Sequence, residues 1–384
     1  MASEKTDRLD ALRKALDDVD RNLLQAVSKR RELVEEIALA KRSRPGGHPL
    51  FDRVRERQVY QRTQQIANEL NLDHKLAQDL MEILVEDSHR VQESVSIEAA
   101  KESQPLIFGF IGGEGQMAKR IGRDLTQRGH NVLSYDLKST QDLSEFVASV
   151  NVVVIAVPMA SSTQMAKKIA PMVAKDALLC DINSLKQEIC TVMAERCQGE
   201  VMGLHPMFGP TVHTLRRQKI VYCSITGGPL SERLLSEFAQ MGVELIDSDP
   251  SRHDQMMALV QVLVHYSTLV MGDALRQAGM LMGSTAEDSL VYTSPIYRLE
   301  LSFIARLFTQ DPALYAEIEM TNPYGRAVRD AFAKSMAAYA NVIDSNDRVA
   351  FNALFQQAAE YFSDMSQTAM TLSDHIIDTM VRRP

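Results

Sequence analysis

The chain has 384 residues, 45% of them apolar and 24% charged, with a net charge of −8. That is the composition of a soluble globular protein with room for two or three domains, and the charge argues against a nucleic-acid binder. The opening M-A-S-E-K-T-D holds no apolar signal core, no apolar run spans a bilayer, and the four cysteines lack C-x-x-C spacing, so the expectation is a cytoplasmic protein with reduced thiols and no membrane partner.

Residues 1–98 read as entirely helical. Leu9, Leu12, Leu16, Val19, Leu23 and Ala26 step by three and four, and the series resumes at Leu33, Ile37 and Ala40. The pattern predicts one helix of about 35 residues with a heptad seam, long enough to call for a partner helix. The step from Ala26 lands on Arg30, and a guanidinium in an apolar seam is costly unless it meets an anion. Lys41 lies three turns further along the same face. Spacing alone leaves two readings of this pair, snorkelling surface cations or an anion site. Pro and Gly make a loop of 43–49. A second helix is expected over about 52–70, with Asp52, Arg55 and Glu56 on one face, and a third over about 72–99, with Ser88 and Gln92 on one face. A solvated salt-bridge face would account for the first group equally well.

Residues 99–105 read as a linker. Leu106–Ile111 then has the composition of a buried parallel strand and runs into Gly112, Gly113 and Gly115, with a helix expected from Gln116 to Gly129. Gly113–Ala118 reads G-x-G-x-x-A. The first glycine allows a tight turn, the second lets a pyrophosphate approach the backbone, and Ala118 permits close helix–strand packing, while the helix start at Gln116 and Met117 offers N–H groups to phosphates. A second apolar run, Val132–Tyr135, ends in Asp136, placed to accept both ribose hydroxyls and to favour NAD over NADP; Lys138 works the other way. Alone, the turn could equally belong to an ordinary α/β protein. Further strand candidates at 150–157, 177–182, 201–204, 220–225 and 243–246 alternate with helical stretches, which predicts βαβ units in a doubly wound sheet. From about Pro250 the pattern is helical, over 255–277 and then 297–380. Its methionine-rich apolar faces read as core or dimer interface.

Three constellations remain. Asp181-Ile182-Asn183-Ser184-Leu185-Lys186 follows a strand, where open α/β sheets place ligands. Gly203–Pro210, G-L-H-P-M-F-G-P, puts His205 at another strand end. Ser294–Glu300, S-P-I-Y-R-L-E, opens a helix carrying Arg298 and Arg306 on roughly one face. Each has a plain structural reading when taken singly: a satisfied turn histidine, or arginines paired with Glu300 or Asp311.

L-R at 12–13, K-R-R-E-L at 29–33, A-K at 40–41, D-x-x-R-E at 52–56 and E-D-S-x-x-x-Q at 86–92 together resemble an all-helical chorismate mutase of the AroQ type. The resemblance implies an intertwined helical dimer that rearranges the dicarboxylate chorismate to prephenate without nucleophile or metal. It also implies that Arg13 (reaching into the partner's site), Arg30 and Arg55 face carboxylates, Lys41 and Gln92 the ether oxygen, and Glu56 the substrate hydroxyl, with Asp52 and Ser88 also binding substrate. The 203–210 and 294–300 motifs resemble prephenate dehydrogenases, from 106 to about 361. That likeness implies NAD held by Gly112, Gly113, Gly115, Gln116, Met117 and Asp136. His205 would take the proton of the 4-hydroxyl, Ser184 would bond near that hydroxyl and the nicotinamide, and Arg306 would hold a carboxylate. Lys186, Arg298, His253 and Gln255 (in R-H-D-Q) are further pocket candidates, and no metal is required.

The whole chain is therefore similar to the bifunctional chorismate mutase–prephenate dehydrogenases of tyrosine biosynthesis. This implies an α/β multidomain homodimer: a three-helix mutase (1–98), a linker (99–105), a Rossmann-like NAD domain with a parallel sheet (106–250) and an all-α substrate and dimerisation domain (251–384). Tyrosine is the implied inhibitor, with His253 the candidate for sensing it. Competing readings are arogenate as substrate, another NAD enzyme such as a β-hydroxyacid dehydrogenase, and a helical dimerisation module in place of the mutase.

Overall fold

The computed structural model describes residues 2–42, 53–100 and 104–382. The loop expected over 43–49, Asp52 and part of the linker lie outside the described residues. Helix α1 runs Ala2–Arg42, α2 Arg53–Glu69 and α3 His74–Ala100. Val34 and Ala38 of α1, Ala67 of α2 and Val85 and Val91 of α3 are buried where the helices pack. The turn between α2 and α3 places Asn71 in the left-handed region (φ 49) and closes with Leu72 N–H on the Ala67 carbonyl at 2.9 Å. Along α1 the apolar seam faces outward: Leu12, Leu16 and Val19 are each 60% exposed. Helical propensity alone does not hold so long an isolated helix, so this stripe needs a cover.

A seven-stranded sheet follows, with strands β1 (Ile107–Ile111), β2 (Asn131–Tyr135), β3 (Val152–Ile155), β4 (Leu178–Asp181), β5 (Glu200–Pro206), β6 (Lys219–Thr226) and β7 (Glu244–Asp247) in the order β2-β1-β3-β4-β5-β6-β7. Helices α4 (Gln116–Gln127), α5 (Leu143–Ala148), α6 (Met159–Ile169), α7 (Gln187–Arg196) and α8 (Pro229–Gln240) alternate with them. Phe108, Phe110, Val152, Val154, Leu178, Cys180 and Met202 form its core with Ile121, Leu125, Leu234 and Phe238 of the helices. The strands are parallel except for β5 and β6, which pair antiparallel. Here the expected run of βαβ units breaks. The connection 207–218 contains Gly209-Pro210, which cannot sit inside a helix, and without a crossover helix the chain returns antiparallel.

The remaining chain is helical. Helices α9 (Pro250–Met257) and α10 (Val264–Met282) join through a π-helical turn, Ala258–Leu263. This helix starts before the expected 255 because Asp249 caps it, its carboxylate receiving Arg252 N–H at 2.9 Å ahead of Pro250. It ends past 277 at Gly283, a left-handed cap at φ 66. By length and composition the span Pro250–Met282 could cross a membrane, and 11% of its most apolar stretch is buried; His265 and Asp273 interrupt it in the sequence. Then come α11 (Ala286–Leu290), α12 (Pro295–Phe308), α13 (Pro312–Thr321), α14 (Gly325–Asp344), α15 (Arg348–Tyr361) and α16 (Ser366–Arg382). Met280, Leu281, Phe303 and Phe355 are all more than half exposed.

The chain packs as two compact units. One comprises Met1–Val157, Gln164–Ile182 and Val192–Asp247; the other comprises Pro158–Thr163, Asn183–Thr191 and Ser248–Pro384. Within the first, charged side chains tie the three helices to the sheet. Arg216 pairs with Glu86, Arg217 reaches Glu56 at 2.6 Å, and Arg128 bonds Ser96 at 3.2 Å while gripping Glu237 at 2.7 Å. Burial alone would push the Glu237 carboxyl up; hydrogen bonds and charge from His130 and Arg128 bring it below its ordinary value.

Candidate active sites

In the three-helix module the seam arginine turns inward. Arg30 donates to the Leu84 carbonyl at 2.6 Å and to the Ser88 hydroxyl, both on α3. Burial lowers its pKa, with Asp87 opposing. Ser88, buried, donates to the same Leu84 carbonyl at 2.7 Å. One residue on, His89 lies 2.9 Å from Glu56 Oε1. One turn beyond Ser88, the Gln92 amide oxygen is buried with no hydrogen-bond partner, which leaves a polar group facing the interior unsatisfied. The structure thus brings together Arg30 and Ser88, and joins Glu56 to the residue following Ser88. Arg13 stands exposed on α1 with Asp10 at 3.4 Å, and Arg55 is exposed with Gln58 at 3.3 Å. Lys41 is half-buried near the end of α1. His89 and Arg217, which no motif singled out, both bear on Glu56.

After β1 the glycines make the turn, with the roles partly exchanged. Gly112, not Gly113, carries the positive φ, at 87°, and a Cβ on it would meet the Ala156 carbonyl. Gly113 is needed for space, since a Cβ there would run into Ser134. Gly115 is the N-cap of α4 and makes no side-chain cap, so the first-turn N–H groups of Gln116, Met117 and Ala118 are presented at the end of the strands, where a pyrophosphate fits. Asp136, just past β2, receives Glu114 N–H at 2.8 Å and the Ser134 hydroxyl at 3.0 Å, both on Oδ2. A carboxylate has about four acceptor positions, so ribose hydroxyls can still be received there. These residues and the glycine cradle fit a dinucleotide. His205, 3% exposed, is the penultimate residue of β5, at the carboxyl end of the parallel strands.

The second unit organises its candidates around Asp254, a residue the motifs passed over although it sits in R-H-D-Q. Asp254 is 1% exposed. Its Oδ1 receives Lys186 N–H at 2.8 Å and faces His253 Nδ1 at 2.7 Å; its Oδ2 receives Gln187 N–H at 2.9 Å. The loop bearing Ser184 and the buried Lys186 is thereby fixed to the start of the long helix. Gln255 Nε2 lies 3.4 Å from the Tyr324 hydroxyl, which also meets Ser251 at 2.9 Å. Arg298 lines a surface cavity of about 490 Å³ with Glu287 and Ser302. Arg306 is exposed in the last turn of α12, where its charge reaches Tyr315. Among the described residues no His, Cys, Asp and Glu group has metal-site geometry.

Three family models match in succession: chorismate mutase type II over residues 12–93, the prephenate dehydrogenase nucleotide-binding domain over 114–219, and the prephenate dehydrogenase dimerization domain over 249–357. The class they define is a helical mutase fused to a Rossmann-like dehydrogenase. The chain belongs to the bifunctional chorismate mutase–prephenate dehydrogenase family. It is 29% identical over 370 residues to the T-protein of Enterobacter agglomerans, covering 96% of this chain and 97% of that one. To the T-protein of Haemophilus influenzae it is 28% identical over 366 residues, covering 95% of each. In fold, residues spanning 71% of this chain match 99% of the prephenate dehydrogenase from A. aeolicus, solved with hydroxyphenyl propionate and NAD+, at a TM-score of 0.53 and 17% identity. Synechocystis arogenate dehydrogenase gives a TM-score of 0.51 at 19% identity, over 67% of this chain and 99% of that one. The resemblance drawn from the motifs is borne out. The enzyme rearranges chorismate to prephenate and carries out NAD-dependent oxidative decarboxylation of prephenate.

Proposed function

We propose that the two reactions use separate sets of side chains, those that touch chorismate on α1–α3 and those that touch prephenate and NAD on the dehydrogenase module. The observation that carries the mutase assignment is the seam arginine. Arg30 leaves its apolar series to meet Ser88, 58 positions away. A guanidinium so placed is stable beside carboxylates and costly without them. In this reading Arg30, with Arg55 and a partner's Arg13, holds the substrate's two carboxylates in the reactive conformer. Lys41 and Gln92 face the ether oxygen as it gains charge, Glu56 receives the hydroxyl, and Asp52 and Ser88 complete the binding set. The unpaired atom at Gln92 is the amide oxygen; with the amide turned over, its N–H donates to the ether oxygen. Arg30→Leu is the test. It should abolish chorismate turnover while helix stability holds or rises and prephenate oxidation continues; retained mutase turnover would remove Arg30 from the site.

For the dehydrogenase, NAD when bound accepts a hydride from substrate. Gly112, Gly113, Gly115, Gln116 and Met117 would hold its pyrophosphate and Asp136 its ribose. His205 accepts the 4-hydroxyl proton. Ser184 orients that hydroxyl, and Arg306 gives permanently charged recognition of a carboxylate. Lys186, His253, Gln255 and Arg298 line the remaining pocket, and Asp254 holds the first two in place. The domains divide as 1–98, 106–250 and 251–384 around the linker. The family's dimerization domain and the uncovered apolar faces of α1 and α10 support a homodimer, and four cysteines that form no disulfide support a cytoplasmic setting. We also propose tyrosine as inhibitor, acting through His253; a His253→Asn enzyme as tyrosine-sensitive as the parent would remove that residue from the role.

A further inference from the structure

Glu56 is gripped from two modules. His89 of α3 lies on Oε1 at 2.9 Å, and Arg217, in the turn before β6 of the nucleotide-binding sheet, holds Oε2 at 2.6 Å. The His89 ring is buried, and burial lowers its pKa, with the Glu56 charge opposing and Arg216 and Arg217 adding to the lowering. A carboxylate only accepts, so the ring donates its Nε2 hydrogen to Glu56. Arg217 is placed with care. Its φ is 62°, a conformation uncommon outside glycine, and the turn is fixed by its own N–H on the Gly242 carbonyl at 2.8 Å and by Gln218 N–H on Leu215 at 2.9 Å. The preceding residue, Arg216, is buried on Glu86 of α3, so two consecutive arginines engage two helices of the mutase. The Arg217 side chain is 59% exposed and that of Glu56 17%, and an ion pair with one end in solvent adds only modestly to stability. Strain in the backbone and little gain in stability point to a function.

We propose that Arg217 is a positioning residue of the mutase site. This rests on the reading of Glu56 as the group that receives the substrate hydroxyl. With one acceptor position of each oxygen filled, by His89 and by Arg217, the carboxylate cannot rotate, and its remaining lone pairs stay aimed at the substrate. One module's reaction then depends on a side chain supplied by the other, and the three helices alone lack part of the support for their own site.

The test uses full-length R217A, R217K, E56Q and the E56Q/R217A double variant. Chorismate loss is followed without NAD, and prephenate oxidation with NAD in the same preparations, so that dehydrogenase activity reports intact folding. R217A should lower mutase kcat/KM by about 10-fold, with prephenate oxidation within twofold of the parent. R217K should recover part of the loss, because the contact is through a single nitrogen that an ammonium can replace. On the E56Q background R217A should cost less than about threefold, the non-additivity expected of two groups acting as one. Unchanged mutase kcat/KM in R217A, no recovery in R217K, or the same loss with and without Glu56 would overturn the proposal. Full mutase activity in E56Q would overturn it together with the assignment of Glu56; loss in E56Q with none in R217A would overturn this proposal alone.

Discussion

His205 and Arg306 are asked to do different things, and kinetics separates them. Proton acceptance matters only as hydride leaves, so in the proposed reading His205 acts on the transition state. His205→Asn keeps some hydrogen bonding but takes no proton, and loss of a general base costs about 10²–10⁴-fold. The expected result is a strong fall in kcat with a modest change in KM. In the proposed reading Arg306 contacts a carboxylate already in the ground state, and a charged hydrogen bond contributes about 1.5–3 kcal/mol. Arg306→Gln should raise KM roughly 10-fold or more with a smaller effect on kcat. Steady-state kinetics on both variants checks this; exchanged signatures would reverse the two roles. Residues of this kind could be singled out in the sequence because the motifs that resemble the family carry them. Asp254, His89 and Arg217 were not: each acts through a partner between 33 and 161 positions away or through a backbone N–H, and no local pattern marks such a contact.

At the scale of elements, period and composition located the three N-terminal helices and the strands to within a few residues. They failed where the determinant was a loop. Nothing in the apolar runs distinguishes β6 from a parallel strand; the reversal comes from the Gly209-Pro210 connection, which lacks a helix to carry the chain back. Likewise the G-x-G motif marked the turn but not which glycine bears the positive φ, since that depends on how closely Ala156 of the neighbouring strand end approaches Gly112. The exposed seam of α1 was the clearest long-range signal, a heptad stripe without a cover in one chain. Leu16 lies in its middle and is 60% exposed. Leu16→Asp should therefore be nearly neutral in a lone helix yet weaken a dimer, because a carboxylate buried against apolar neighbours has no partner. Sedimentation across a dilution series reads this; a variant as dimeric as the parent would show that α1 is covered by something else.

At the scale of the molecule, composition and charge argued against a nucleic-acid binder and left room for two or three domains, and motif resemblance supplied the rest. The chain joins a site that needs only cations and shape to one that needs a bound dinucleotide. Those chemistries have no residue in common, and Arg30, Ser88 and Gln92 lie wholly within α1–α3. In the proposed reading one chain runs both reactions in order, at separate sites. The most direct measurement gives the purified full-length enzyme chorismate alone, then adds NAD, following chorismate, prephenate, NADH and product together. Chorismate should disappear and prephenate accumulate before NAD is added; on its addition NADH and 4-hydroxyphenylpyruvate should rise in equal amounts. Chorismate that stays untouched until NAD is present, or prephenate that accumulates with no NADH formed, would contradict the account.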